Sequence, residues 1–397
     1  MSTRRRLGLV LVALPLAFYA YACSSDPAGG GGTTDDAGGG GGNEAGPGID
    51  SSTPGTDSSI PPDMDSSTPD AADASDGAVP NACIGNPLFA DGGTPDGGAN
   101  IEAGVTQIVP TSFTGTFYDG PQWVSGGGAG TGGFLVFSEF NNNAEIVHRV
   151  AADGGGLADF RTIGLGTNVA PLGNAVRNGM VLTVATAKNG GGTSVILQTA
   201  PDGGAGPNIP VPATALSPND LVVGKNGAVY YTDPRYQVSG TDPKGIFATL
   251  NDGGGATRFA MFTGEEPNGI ALSPDGTLLY VSFTNVKRID SYPVNPATGA
   301  VTATPTTVVA SAALTDRPDG IAVDAVGNLY VAEADAASAT EAGRVEVFKP
   351  NGQKWGQIPF ATQRPTGVAF GGPQSKTLFI TTERGVFTYV GRCAGTE

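Results

Sequence analysis

From about residue 105 onward the chain alternates short apolar runs with turns built from Gly, Asp, Asn and Pro. No segment sustains a helical amphipathic period over three turns. Runs of roughly four to eight residues rich in Val, Leu, Phe, Tyr and Thr, bounded by such turns, predict strands and a nearly all-β fold. The runs also obey a larger order. A turn carrying a side-chain oxygen leads into an apolar stretch, an Asp-Gly or Asn-Gly comes next, and a second apolar stretch closes the phrase. One copy reads Ser217-Pro218-Asn219-Asp220-Leu221-Val222-Val223, then Asn226-Gly227, then Val229-Tyr230-Tyr231-Thr232-Asp233. It returns at Pro267-Asn268-Gly269-Ile270-Ala271-Leu272 with Asp275-Gly276, and at Pro318-Asp319-Gly320-Ile321-Ala322-Val323 with Gly327-Asn328. A further copy begins at Pro365-Thr366-Gly367-Val368-Ala369-Phe370. The steps 219→268, 268→319 and 319→366 are 49, 51 and 47 residues.

A period of that size, with two strands and a hairpin turn in each copy, is the signature of a β-propeller blade. Two earlier units, one around Phe117 to Val124 and one around Gly173-Asn174-Ala175-Val176, bring the count to six. The expected fold is therefore a six-bladed β-propeller of four-stranded blades over residues 82–397. Outer strands are expected at Glu145 to Val150, Ser194 to Gln198, Gly245 to Thr249, Arg288 to Pro293 and Arg344 to Phe348. The last blade has few strands left before the C-terminus, so the short apolar run Val105 to Val109 is expected to complete it and close the ring.

The front of the chain has a different pattern. Arg4, Arg5 and Arg6 precede an apolar run from Leu7 to Ala22 that is broken by Pro15 and is too short to span a membrane. It ends at Ala20-Tyr21-Ala22-Cys23, which is similar to a lipoprotein cleavage site with Cys23 as the lipidated residue. Residues 1–22 are thus expected to be a lipoprotein signal peptide, and the protein an exported bacterial lipoprotein of the cell envelope, with Ser24 leaning towards the outer membrane. Residues 23–81 are Gly-, Asp-, Ser-, Thr- and Pro-rich with almost no large apolar side chain, the composition of a disordered linker. Thirteen acidic residues and no Lys or Arg fall between 24 and 100, and the three Arg near the start contribute +3, so of the net charge of −16 only −6 belongs to residues 101–397. With no basic stripe to neutralise phosphates, nucleic acid is not expected as a partner. Membrane contact is expected only through the lipid, and the propeller is expected to be a monomer. Cys83 and Cys393 bracket the propeller and, in an oxidising compartment, are expected to form a disulfide.

The first strand of each propeller blade lines the central channel, so a residue recurring at its start points at one shared space. That set is Asp119, Asn174, Asn219, Asn268, Asp319 and Thr366. Carboxylates and amide carbonyls around one point make a hard-oxygen site, suited to Ca²⁺ or another divalent cation rather than Zn²⁺. The same phrases are good turn formers in their own right, and spacing alone leaves both readings open. His148 is the only histidine, sits in an outer strand and is expected at the surface. Without another histidine a Ser-His-Asp hydrolase is excluded. The Asp-Gly-Gly phrases at Asp91, Asp96, Asp153, Asp202 and Asp252 lack the nine-residue spacing of calcium-binding repeats and read as turns.

These phrases, with Tyr230-Tyr231-Thr232-Asp233-Pro234 and the tail from Arg364 to Gly372 and Lys376 to Thr381, resemble the senescence-marker-protein/gluconolactonase (regucalcin-like) family over roughly residues 105 to 391. The resemblance implies a six-bladed propeller with one divalent cation, usually Ca²⁺, on the axis, and an activity of the lactonase or esterase type on a small-molecule lactone or ester. It carries ligand roles to Asn219, Asn268 and Asp319. Asp119-Gly120-Pro121 stands where the family has Glu-Gly-Pro, so the fourth ligand, Asp119, is one methylene shorter. Asn174 and Thr366 are expected to contact substrate. On this reading the cation polarises the carbonyl and Asp319 acts as the catalytic base for water. The alternative is a non-catalytic, metal-stabilised propeller that binds a ligand.

Overall fold

The computed structural model describes residues 104–110, 117–126, 132–140, 145–163, 168–188, 191–250, 255–334 and 343–396. The expected signal peptide 1–22, Cys23, the linker 23–81 and Cys83 lie outside the described residues; Cys393 lies within them and is fully buried.

The strands form six four-stranded sheets. Blade 1 contains β2 (Phe117–Val124), β3 (Phe134–Phe140), β4 (Glu145–Val150) and β5 (Ala158–Thr162); the strand that precedes it, β1, is Val105–Val109. Blade 2 contains β6 (Val169–Arg177), β7 (Met180–Ala187), β8 (Val195–Thr199) and β9 (Ile209–Pro210). Blade 3 contains β10 (Leu221–Val223), β11 (Val229–Asp233), β12 (Lys244–Thr249) and β13 (Thr257–Phe262). Blade 4 contains β14 (Pro267–Leu272), β15 (Leu278–Phe283), β16 (Arg288–Pro293) and β17 (Thr306–Val309). Blade 5 contains β18 (Arg317–Val323), β19 (Leu329–Ala334), β20 (Gly343–Phe348) and β21 (Lys354–Phe360). Blade 6 contains β22 (Pro365–Gly371), β23 (Thr377–Thr382) and β24 (Gly385–Val390). Its fourth strand is β1, which pairs antiparallel with β24 through Val105↔Tyr389, Thr106↔Thr388 and Gln107↔Phe387. The fold is a six-bladed propeller closed by a strand from its own N-terminal side, as the strand count requires.

The core lies between sheets. Trp123 of blade 1 stacks on Phe379 of blade 6 at 5.3 Å, and Tyr330 of blade 5 meets Phe370 of blade 6 edge-on at 4.9 Å. Each such ring, fully buried, is worth roughly 1.5–3 kcal/mol over exposure, so the blades are held by aromatic contacts distributed around the ring. The C-terminal segment adds a second closure. Ala325 N–H donates to Ala394 O, Thr396 N–H to Val323 O, and Asp324 bridges to Gly395, stitching the end of blade 6 to the inner turn of blade 5.

One irregularity prepares the site. The inner strands carry bulges at Asp119/Gln122, Pro171/Asn174, Pro267/Ile270, Pro318/Ile321 and Pro365/Gly367. A bulge re-aims the side chain it displaces. Here the bulges of blades 1, 4 and 5 fall at the residues Asp119, Asn268 and Asp319, which line the axial cavity.

Candidate active site

The bulged segments pack against one another so closely that they fix their own equivalences. A β-carbon on Gly269 would stand 2.2 Å from Asp319 O, and one on Gly173 would stand 2.4 Å from Asp220 Oδ1. Neither position tolerates a side chain, which is why Gly comes after the axial residue in most blades. A hydroxyl on the second strand of one blade then staples the axial residue of the next. Ser138 Oγ donates to Leu172 O at 2.6 Å, Thr232 Oγ1 to Asn268 O at 2.6 Å and Ser282 Oγ to Asp319 O at 2.7 Å. Asp119, Asn219, Asn268 and Asp319 therefore occupy matching places, as the repeat predicts.

Blade 2 departs from the pattern. Its matching residue is Leu172, and Asn174 lies two positions further on. Asn174 Nδ2 donates to Gly120 O at 2.7 Å, to Ser138 Oγ at 2.9 Å and to Leu172 O at 3.2 Å, while Thr183 Oγ1 donates to Asn174 Oδ1 at 2.6 Å. Its amide is spent on joining blade 1 to blade 2. Thr366 does the same for blades 6 and 1, donating from Oγ1 to Tyr118 O at 2.6 Å, with Thr381 Oγ1 at 3.0 Å. Thr366 is thus committed to its neighbours and does not line the axial cavity, whereas Asn174, although hydrogen-bonded between blades, does line it.

The sequence reading missed one member of the cluster. Where the other blades have Gly120, Gly173, Gly269, Gly320 and Gly367, blade 3 has Asp220. Its Oδ1 accepts from Leu221 N–H at 2.8 Å and its Oδ2 from Ile270 N–H of the next blade at 3.1 Å. The signal was present as Pro-Asn-Asp set against Pro-Asn-Gly and Pro-Asp-Gly.

Three carboxyls consequently share the axis. Burial pushes Asp119 up to about 6, against the opposing pull of the Gly120 N–H. Burial and then the charge of Asp119 push Asp220 up to about 7. Burial, then Asp119 and Asp220, hold Asp319 well above the usual carboxylate range, with the Asn268 amide pulling the other way. Desolvation and like charge raise the cost of ionisation together, and a cation among the three reverses both. Asn268 supplies a further donor. Its Nδ2 donates to Thr284 Oγ1 at 3.0 Å, while its Oδ1 is buried and accepts no hydrogen bond. A buried amide oxygen without a donor beside three carboxyls is what an oxygen-ligated divalent cation needs, so the residues present fit one. Among the described residues no three His, Cys, Asp or Glu side chains are arranged to hold a metal by themselves, so a cation here would need amide oxygens as well as carboxylates.

The cluster opens on an axial cavity of about 210 Å³. Asp220 and Asp319 keep part of their surface open to it, and Leu221, Ile270, Ile321 and Val368 contribute apolar wall. Lys225, at the far end, is the only basic residue lining it among the described residues, and its Nζ donates to Pro274 O at 2.8 Å.

His148 is not at the surface as expected. Its Nε2 lies 2.5 Å from Glu139 Oε2 and its Nδ1 3.4 Å from Asp159 Oδ1, with only 13% of the side chain exposed. The Tyr118 and Phe137 rings cover it, and Glu139, buried in β3, draws it inward. It sits in the third strand of blade 1, off the axis.

Comparison with known proteins bears on this geometry. The sequence profile of the SMP-30/Gluconolactonase/LRE-like region matches residues 136–384. The chain is 32% identical over 187 residues to a gluconolactonase of Zymomonas mobilis, covering 43% of this chain and 49% of the relative. It is 29% identical over 172 residues to a pentonolactonase of Haloferax volcanii, covering 42% and 53%. The chain thus spans about half the length of these curated relatives. Among solved structures, a gluconolactonase from Xanthomonas campestris superposes with a TM-score of 0.56 at 24% identity, over 72% of this chain and 89% of that one. The calcium-binding protein regucalcin from Agrobacterium tumefaciens superposes with a TM-score of 0.52 at 18% identity, over 74% and 95%. At these identities the structures speak to the fold.

Proposed function

The chain belongs to the SMP-30/gluconolactonase/LRE-like family, and we propose that it hydrolyses a lactone or related ester at the axial site with the help of a bound divalent cation, Ca²⁺ by donor type. The observation that carries this reading is the convergence of Asp119, Asp220 and Asp319 with the unpartnered Oδ1 of Asn268. The cation would be held by Asp119, Asn219, Asn268 and Asp319. When bound, it would supply Lewis-acid polarisation of the substrate carbonyl.

The protein's own groups do the rest. Asp319, partly open to the cavity, is placed to take a proton from the attacking water on a carboxylate oxygen, and to return it to the departing ring oxygen. Asp220 sits one residue below the ligand level and adds negative charge without leaving its two backbone donors. The hydroxyl staples from Thr232 and Ser282 hold Asn268 and Asp319 in place, so that little reorganisation is needed when substrate arrives. Relatives named for gluconolactone and pentonolactone support a sugar lactone as the substrate class. We also propose that residues 1–23 direct export and lipid attachment of this domain at the cell envelope, and that Cys83 pairs with Cys393.

The test is turnover of a panel of sugar lactones and aryl esters by the purified propeller, with Ca²⁺ and with chelator. Chelator-sensitive hydrolysis that collapses in Asp319→Asn is expected. Metal-dependent stabilisation without turnover on any substrate would instead identify a binding module.

A further inference from the structure

In blades 3, 4 and 5 the segment that delivers the axial residue is clamped from behind. Asp233, at the end of β11, accepts Leu216 N–H at 2.8 Å and Ser217 N–H at 3.1 Å, just before Asn219. Asn285 Oδ1, just beyond β15, accepts Glu266 N–H at 3.0 Å, just before Asn268. In blade 5 the corresponding residue is Glu333 near the end of β19, whose Oε2 accepts Asp316 N–H at 2.8 Å, just before Asp319. This clamp is built differently from the other two. Asp233 is a short carboxylate satisfied on both oxygens, also accepting Arg235 N–H at 3.1 Å. The longer Glu333 reaches into the blade and meets a second carboxyl, Glu346 of β20.

Both glutamates are fully buried. Glu346 Oε1 accepts from Thr315 Oγ1 at 2.6 Å and from Lys354 Nζ. That leaves Glu333 Oε1 and Glu346 Oε2, two buried oxygens that accept no hydrogen bond, on carboxyl groups within hydrogen-bonding reach of each other. We propose that Glu333 and Glu346 hold one proton between those oxygens, and that this acid pair is the clamp that positions the Thr315–Asp319 segment. The regulatory part of the proposal, that the pair's protonation sets how firmly Asp319 is presented to a cation, rests on the function proposed above.

The groups around the pair agree with a single shared proton. Lys354 and Gln357 face Glu346 from β21, Arg344 lies across from Glu333 on β20, and Thr315 and Asp316 approach from the turn. Burial, then the hydrogen bond and charge of Glu346, push Glu333 up to about 10, opposed by the Asp316 N–H and Arg344. Burial pushes Glu346 up as well, but hydrogen bonds from Glu333, Lys354 and Thr315 outweigh it and hold Glu346 below the usual range. The folded protein therefore keeps a proton on Glu333 that the unfolded chain releases above about pH 4.5. The stability that the Glu333 proton contributes is complete below that pH and is lost progressively as pH rises towards 10, whereas the contribution of the depressed Glu346 is lost as pH falls below it.

Glu333→Gln tests the proposal, because its amide mimics the protonated acid and still accepts Asp316 N–H through its oxygen. Between about pH 6 and 9 the Tm of the wild type should fall more steeply than that of the variant, with the variant higher by several degrees at about pH 9. Glu333→Ala provides the contrast. Hydrogen exchange at the peptide containing Asp316 should accelerate about tenfold or more in Glu333→Ala and stay near wild type in Glu333→Gln. Ca²⁺ affinity should weaken about tenfold in Glu333→Ala and recover to within about twofold in Glu333→Gln. Parallel Tm slopes, or equal exchange in the two variants, would overturn the clamp. So would a second equivalent of Ca²⁺ that binds the wild type and is lost in Glu333→Gln, because a cation would then fill the place given to the proton. If no Ca²⁺ binds at all, the proposed function fails and the regulatory part with it, while the Tm slopes and exchange rates still decide whether the clamp exists.

Discussion

Asp220→Asn has an effect on stability that should change sign with pH. A carboxyl whose pKa moves from 3.8 to about 7 on folding resists ionisation by roughly 4 kcal/mol. The folded-state value is the raised one, so the native protein binds the extra proton and metal-free stability falls as pH climbs from about 4 to about 7. The amide abolishes this loss. It also removes one of the two acceptors that serve Leu221 N–H and Ile270 N–H, leaving a buried donor at a cost of about 1–3 kcal/mol. At about pH 4, where wild-type Asp220 is protonated, only the second effect operates and the variant should melt about 2–6 °C below wild type. At about pH 8 the gain of up to roughly 4 kcal/mol outweighs the loss, and the variant should melt about 2–6 °C above it. Calorimetric or fluorescence melting in chelator at the two pH values measures both. Adding Ca²⁺ at the higher pH should restore the wild-type lead, because the cation is stabilised by the charge that the variant lacks. A difference of constant sign across pH, or equal Ca²⁺-induced shifts in both proteins, would refute the placement of Asp220 in the axial cluster.

Asn174→Ala should destabilise the propeller by about 2–4 kcal/mol, since it strands the blade 1–2 acceptors; KM should stay within about twofold if the amide is structural. Asp119→Glu, which restores the longer side chain of the family phrase, should tighten Ca²⁺ binding about tenfold by calorimetry if the shorter carboxylate reaches the ion imperfectly. Cys23→Ser should move the protein from the membrane to the soluble fraction, measured by fractionation of cells expressing the full chain.

Much of the fold was legible because a propeller repeats its physics. Each blade must place a strand on the axis, turn, and pack a second strand against it, so Asn219, Asn268, Asp319 and Thr366 recur at a near-constant interval. The closing strand came from arithmetic: β22, β23 and β24 leave blade 6 one strand short, and Val105–Val109 is the apolar run before blade 1. His148 was misplaced because alternation along β4 says which face a residue takes, while the buried Glu139 on the neighbouring strand decides how far inward it is drawn.

Blade 2 and Asp220 show where periodicity stops being informative. In blade 2 the phrase contains Asn, and spacing assigns it to the matching place, but the bulge between Pro171 and Asn174 shifts the register and puts Leu172 in that backbone position, while Asn174 reaches the cavity from two residues further on. A small offset of this kind is invisible in a sequence and decisive in a structure. Asp220 has the opposite history: the register is right, and the substitution falls at a position that looks like turn chemistry until the neighbouring Gly173 is seen to make room for its carboxylate. Both cases arise from the same contact, in which each blade's axial segment is packed directly against the next. The donors and acceptors of one blade are satisfied by its neighbour: Asn174 by Gly120, Asn268 by Thr232, Asp319 by Ser282. A residue's role at the axis is consequently set by the blade beside it. The charge balance of the cluster belongs to the whole ring, so a substitution such as Asp119 for Glu has to be judged together with Asp220 and Asp319, whose carboxyls it raises.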